Sequence, residues 1–153
     1  MSKFEELCHS YEKLLTNAEQ YEADCYDFSK KLVKGFVDYL ECGKNDILIK
    51  QLSLNEDGYY DCDIELTVYE GGDKYASRGL VPEISLKVAR NIDEFVVKVA
   101  NGQHVYIVNK ADDDNSENLV KLYDDLFQGI KSYYETPIDE FIHRNMKGGI
   151  FFP

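Results

Sequence analysis

Tyr59-Tyr60-Asp61-Cys62-Asp63-Ile64-Glu65-Leu66-Thr67-Val68-Tyr69 changes character at every residue, Tyr60, Cys62, Ile64, Leu66 and Val68 alternating with Tyr59, Asp61, Asp63, Glu65, Thr67 and Tyr69. A period of two belongs to a strand with one face in a core and the other outside it. The outer phase is a row of three carboxylates framed by tyrosines. Alternate residues of a strand stand about 6.6 Å apart and project in parallel, whereas metal ligands converge on one point at about 2–2.5 Å. The row therefore reads as a solvated face or as a rigid acidic strip that steers a basic protein, with Tyr59 and Tyr69 as anchors.

The same period governs the sequence around it. Residues 46–54, 59–69, 80–90, 94–100 and 103–109 are rich in β-branched residues and alternate, which predicts five strands in a largely antiparallel sheet. Asn55-Glu56-Asp57-Gly58 separates the first two, and Asn101-Gly102 predicts a two-residue hairpin turn between the last two. That turn sets Ala100 opposite Gln103, Val99 opposite His104 and Val97 opposite Tyr106. Both faces of this hairpin are apolar enough to predict a place inside the sheet or a covered second face. Pro82 cannot donate to a ladder, so the third strand starts on an edge or only after it.

Helical patterns flank the sheet. From Ser2 to Cys42 there is no proline; Ser2 and Glu5 have capping-box spacing and Gly43 stands where a C-terminal cap belongs. Counted in sevens, Phe4, Leu7, Tyr11, Leu14, Ala18, Tyr21, Cys25, Phe28, Leu32 and Tyr39 occupy the seam, interrupted by Gly35 and never by a charge. A helix of that span is about 60 Å long, more than the roughly 40 Å diameter of a domain of this size. Either it breaks at Thr16-Asn17, where Asn17 and Gln20 repeat the capping spacing, or two copies pair along the seam.

After the acidic run Asp112 to Glu117, Leu119, Leu122, Tyr123, Leu126, Phe127, Ile130, Tyr133 and Tyr134 mark a second long helix, with Asp114 as its expected cap. Thr136-Pro137 restarts a third helix through Ile138, Phe141, Ile142 and Met146, before Gly148-Gly149. The expected architecture is one α+β domain over residues 1–153. It has a long N-terminal helical segment free to project as a dimerisation element, a five-stranded sheet, and two C-terminal helices on the same sheet face as the first.

Composition narrows the partners. Lysine and arginine number 17 against 29 acidic residues, a net charge of −12 with 44% hydrophobic residues, so the chain is an acidic globular one. Nucleic-acid backbones and anionic membranes are poor partners for it, because both are held by cations. The first residues show no signal-peptide pattern, no stretch approaches the length of a spanning segment, and the four cysteines Cys8, Cys25, Cys42 and Cys62 lie singly, so the expected address is cytoplasmic.

Catalytic signatures are missing from the sequence. His9, His104 and His143 lie in different elements; there is no HExxH, GxSxG, P-loop or dinucleotide fingerprint. A calcium loop starting at Asp112 would need glycine at 117 and glutamate at 123, where Glu117 and Tyr123 stand. No cofactor and no metal is called for. The reading is a non-catalytic acidic protein-binding module, inhibitor-, immunity- or chaperone-like by size and charge alone, homodimeric, that docks a basic partner surface through Tyr59, Asp61, Asp63, Glu65 and Tyr69. The alternative is a small enzyme or ligand-binding protein with a pocket between the sheet and the C-terminal helices, where His104, Tyr106, Tyr123 and Tyr133 supply polar groups.

Overall fold

The computed structural model describes residues 1–75, 78–80, 83–111, 116–139 and 150–153. The fold is α+β: a long N-terminal helix, an antiparallel sheet and a C-terminal helix.

Helix α1 runs unbroken from Lys3 to Leu40. It opens on the expected capping box, the Ser2 hydroxyl accepting from the Glu5 N–H at 3.1 Å and the Glu5 carboxylate from the Ser2 N–H at 2.7 Å. There is no break at Thr16-Asn17. Thr16 turns its hydroxyl back onto the Glu12 carbonyl at 3.1 Å, and Gln20, the second member of the expected capping pair, donates to Asp24 at 2.8 Å within the same helix.

At the other end the cap is Glu41, not Gly43. Glu41 adopts the left-handed conformation (φ 55°), its N–H donates to the Asp38 carbonyl, and the Cys42 N–H donates to that of Val37. That bond pair is a Schellman motif built on a non-glycine residue. Gly43 lies beyond it, donating its N–H to the Asp46 carboxylate at 2.8 Å.

Strands β1 (Ile47–Leu54), β2 (Tyr60–Tyr69), β3 (Arg78–Leu80), β4 (Ile84–Asn91), β5 (Glu94–Val99) and β6 (Val105–Asn109) form one antiparallel sheet in the order β1-β2-β4-β5-β6, with β3 beside the far end of β2. The expected third strand is thus two. Both pair with β2, β4 along residues 60–64 and β3 along 67–69. Residues 81–82 between them, Pro82 included, lie outside the described set, and β4 starts after the proline, in the middle of the sheet.

The β5–β6 register is the predicted one, Val97 opposite Tyr106 and Lys98 opposite Val105, but the connection is wider than two residues. The ladder ends at Lys98 and Val105, and a turn closed by the Gly102 N–H on the Val99 carbonyl at 2.9 Å places Asn101 at φ 64°. The chain end accounts for the opening. The Phe152 N–H donates to the Asn101 carbonyl at 3.1 Å and the Gln103 N–H to the Pro153 carbonyl at 3.4 Å, so the C-terminal residues use backbone groups that a tight turn would keep for itself. Nor does the hairpin lie inside the sheet: β6 is an edge strand.

Helix α2 (Glu117–Glu135) is capped by Ser116, whose hydroxyl accepts from the Leu119 N–H, rather than by Asp114. The start is two residues later than expected, and Asp114 itself falls outside the described residues with 112–115. The predicted third helix falls mostly on 140–149, also outside them; Ile138 and Asp139 have helical backbone.

One core joins these elements. Cys25, Phe28, Leu32, Val33 and Phe36 of α1 meet the inward phase of the strands (Cys62, Ile64, Leu86, Val97, Val108) and Leu119, Leu122, Tyr123 and Leu126 of α2, so both helices pack on one face of the sheet. The Phe28 and Phe95 rings stack 4.0 Å apart. Gly35 interrupts the heptad seam because α2 needs the space: a Cβ there would fall 2.3 Å from the Tyr123 hydroxyl oxygen, which donates to the Leu32 carbonyl at 3.0 Å. Among the described residues no helix is long and apolar enough to cross a membrane.

Candidate docking face

Because both helices lie on one side, the other side of the sheet is uncovered by any described element. Strand β2 carries its carboxylates there by alternation alone: Tyr60, Cys62, Ile64 and Leu66 are buried, while Asp61, Asp63 and Glu65 are half-buried on the outer face. Burial holds the Cys62 thiol protonated, its pKa pushed up to about 12.

The three carboxylates have different surroundings. Asp61 is opposite Lys87 of β4, with nitrogen and oxygen 3.1 Å apart, and accepts from the Asn55 amide at 3.0 Å. Asn55 also accepts from the Asp57 and Tyr59 N–H groups, so the residue that orders the β1–β2 turn also fixes the first carboxylate. Glu65 is 3.7 Å from Lys50. Asp63, between Gln51 and Ser85 in the ladder, has an acid for a neighbour: the Glu83 carboxyl lies above its usual range, first through burial and then through repulsion by Asp63. Among the described residues no cluster of side chains is arranged to hold a metal ion.

The tyrosines frame the row unequally. The Lys98 ammonium sits 4.9 Å from the centre of the Tyr59 ring, and the Tyr69 hydroxyl donates to Asp46 at 3.0 Å, which raises its pKa. Tyr59 thus borders the outer face, whereas Tyr69 is tied to the segment that follows α1.

The apolar margin of this face was expected inside the sheet or under cover, and among the described residues it is neither. Leu48 is opposite Glu65, and Val96, Val105 and Ile107 project from β5 and β6 on the same side; Val105 and Ile107 are 53% and 47% exposed. The signal was there, in the two apolar phases of the β5–β6 hairpin, but periodicity does not say which strand is an edge.

The other set does not converge. Tyr106 is buried and donates to Asp125, with burial and that carboxylate raising its pKa. Tyr123 donates to the Leu32 carbonyl and Tyr133 packs edge-on against Tyr134, whereas His104 is exposed with its ring centre 6.4 Å from that of Tyr106. A cleft of about 840 Å³ does lie between the sheet and α2, lined by other residues, among them Leu66, Val68, Phe127, Ile130 and Tyr134. No family model matches the chain, and neither a curated protein nor a solved structure does.

Proposed function

We propose that the protein is a non-catalytic binding module that docks a basic protein surface on the uncovered face of its sheet. One observation carries the reading: a central strand with its inner phase locked in the core holds Asp61, Asp63 and Glu65 on a rigid open face whose margin exposes Val105 and Ile107 beside the half-buried Val96. Carboxylates on such a face steer encounter with a cationic partner, and the apolar margin supplies area to bury once contact is made. The net charge of −12 extends the same field over the molecule. A reducing, cytoplasmic setting fits the four free thiols.

The test compares two baits in native lysate, the wild type and the triple variant Asp61→Asn, Asp63→Asn, Glu65→Gln, with bound proteins identified by mass spectrometry. Retention of a basic protein by the wild type, lost from the variant and weakened by salt, is the expected result. Equal retention by both baits overturns the reading.

A second reading, a small-ligand protein, is favoured by the cleft between the sheet and α2. Its lining is largely apolar, so its occupant would be an apolar molecule. Saturable binding of a fluorescent apolar probe, abolished by Ile130→Glu, is the observation that would promote it.

A further inference from the structure

We propose that residues 4–18 of α1 form an antiparallel helix pair with the same segment of a second copy of this chain. The proposal is independent of the docking face. The whole stretch from Met1 to Gln20 is exposed, and α1 enters the domain only at Tyr21, whose hydroxyl donates to the Gly58 carbonyl at 2.7 Å. Phe4, Leu7, Tyr11 and Leu14 are 75%, 69%, 61% and 63% exposed, on a helix that runs out into solvent. They lie on one seam, with Leu15 beside it, while Glu5, Glu6, Glu12 and Lys13 all fall on the far side. An isolated helical extension of this length is marginal in water, and an apolar stripe on it needs a partner.

The seam also says which partner and which way round. Its continuation, Cys25, Phe28 and Leu32, is buried against this chain's own sheet. A second helix running parallel along the seam would therefore reach the volume that the sheet occupies as soon as it passed Tyr21. An antiparallel helix ends there instead, and carries its own domain away at the opposite end.

In that orientation the segment complements itself about a two-fold axis: Tyr11 meets Leu14 of the other copy, and Leu7 meets Ala18. Along the flanks Cys8 falls beside Leu15 and Ser10 beside Asn17, so no like charges oppose each other. Two copies remove roughly 1,000 Å² from water, counting aromatic side chains at about 150–250 Å², which is near the lower limit for a specific interface.

Sedimentation equilibrium of the full chain decides the state, and oxidative cross-linking decides the orientation. The wild type is expected as a dimer at micromolar concentration, and Leu14→Glu as a monomer with unchanged near-ultraviolet circular dichroism, because Leu14 lies outside the core. In Leu15→Cys, the native Cys8 of one copy should form a disulfide with the new thiol of the other, since such a bond needs Cα atoms within about 7 Å. A wild-type monomer at 100-fold higher concentration overturns the pairing. A bond between the two Cys8 residues, with none to position 15, overturns the antiparallel arrangement.

Discussion

The Arg90 guanidinium lies 2.6 Å from the Asp24 carboxylate, at the point where α1 leaves the sheet. Arg90 also stacks over the Tyr21 ring at 5.3 Å, and Lys110 stands 3.8 Å from the same carboxylate. This cluster from α1, β4 and the residue that follows β6 fixes the direction in which the helix projects.

Asp24 accordingly links stability to pH. The Arg90 hydrogen bond, followed by that of Gln20, holds its carboxyl below the usual range. A carboxylate with a lowered folded pKa contributes stability that is present above its unfolded pKa, near 4, and is lost as pH falls through the folded value. Asp24→Asn should cost about 0.5–1 kcal/mol at pH 7, a partly exposed pair being worth no more, and the gap should narrow as the pH is taken down to about 3. Urea titrations at both pH values check this; a gap of the same size in acid would assign the loss to shape instead of charge.

The opposite sign is expected at Glu83. Burial and then Asp63 raise its pKa, so ionisation is disfavoured in the fold and stability declines as pH rises from the unfolded to the folded value. Glu83→Gln should therefore unfold at a higher temperature than the wild type at pH 7 and at the same temperature at pH 3. Asp63→Asn should act in the same direction, whereas Asp61→Asn, which takes the opposite charge away from Lys87, should lower stability.

Gly35→Ala should destabilise although alanine is the better helix former. The added Cβ would come 2.3 Å from the Tyr123 hydroxyl, which loses its bond to Leu32 when displaced. Overpacking of about 1–3 kcal/mol plus a hydrogen bond of about 1 kcal/mol outweighs a propensity gain of about 1 kcal/mol. Tyr123→Phe in the same chain removes the oxygen and should recover part of the loss; chemical denaturation of the two single variants and the double variant gives the coupling directly.

Glu41→Gly should stabilise by about 0.5–1 kcal/mol. The left-handed conformation that closes α1 is unstrained for glycine, and the change removes a negative charge from the negative end of the helix dipole. An unchanged melting temperature would mean that the Glu41 side chain compensates its own backbone.

Much of this architecture is local and so was legible in the sequence. The alternation of Tyr60 to Leu66 fixed which residues of β2 are buried, and Ser2 and Glu5 capped α1, whereas the uncharged seam left both a break at Thr16-Asn17 and pairing of two copies open. Asn101 to Gly102 located the β5–β6 connection and gave the ladder register, because alternation leaves little choice of phase. What a period of two or seven does not carry is spatial order. That β6 is an edge and β4 central, that Glu83 stands against Asp63, and that the hydroxyl of Tyr123 occupies the gap at Gly35 all depend on residues distant in the chain. The C-terminal Phe152 shows the same limit: a Cβ at Gly129 would fall 2.3 Å from its ring, and its backbone opens the Asn101 turn. Contacts of that kind are set by packing density and by backbone groups seeking partners across the whole fold, so only the tertiary structure decided them.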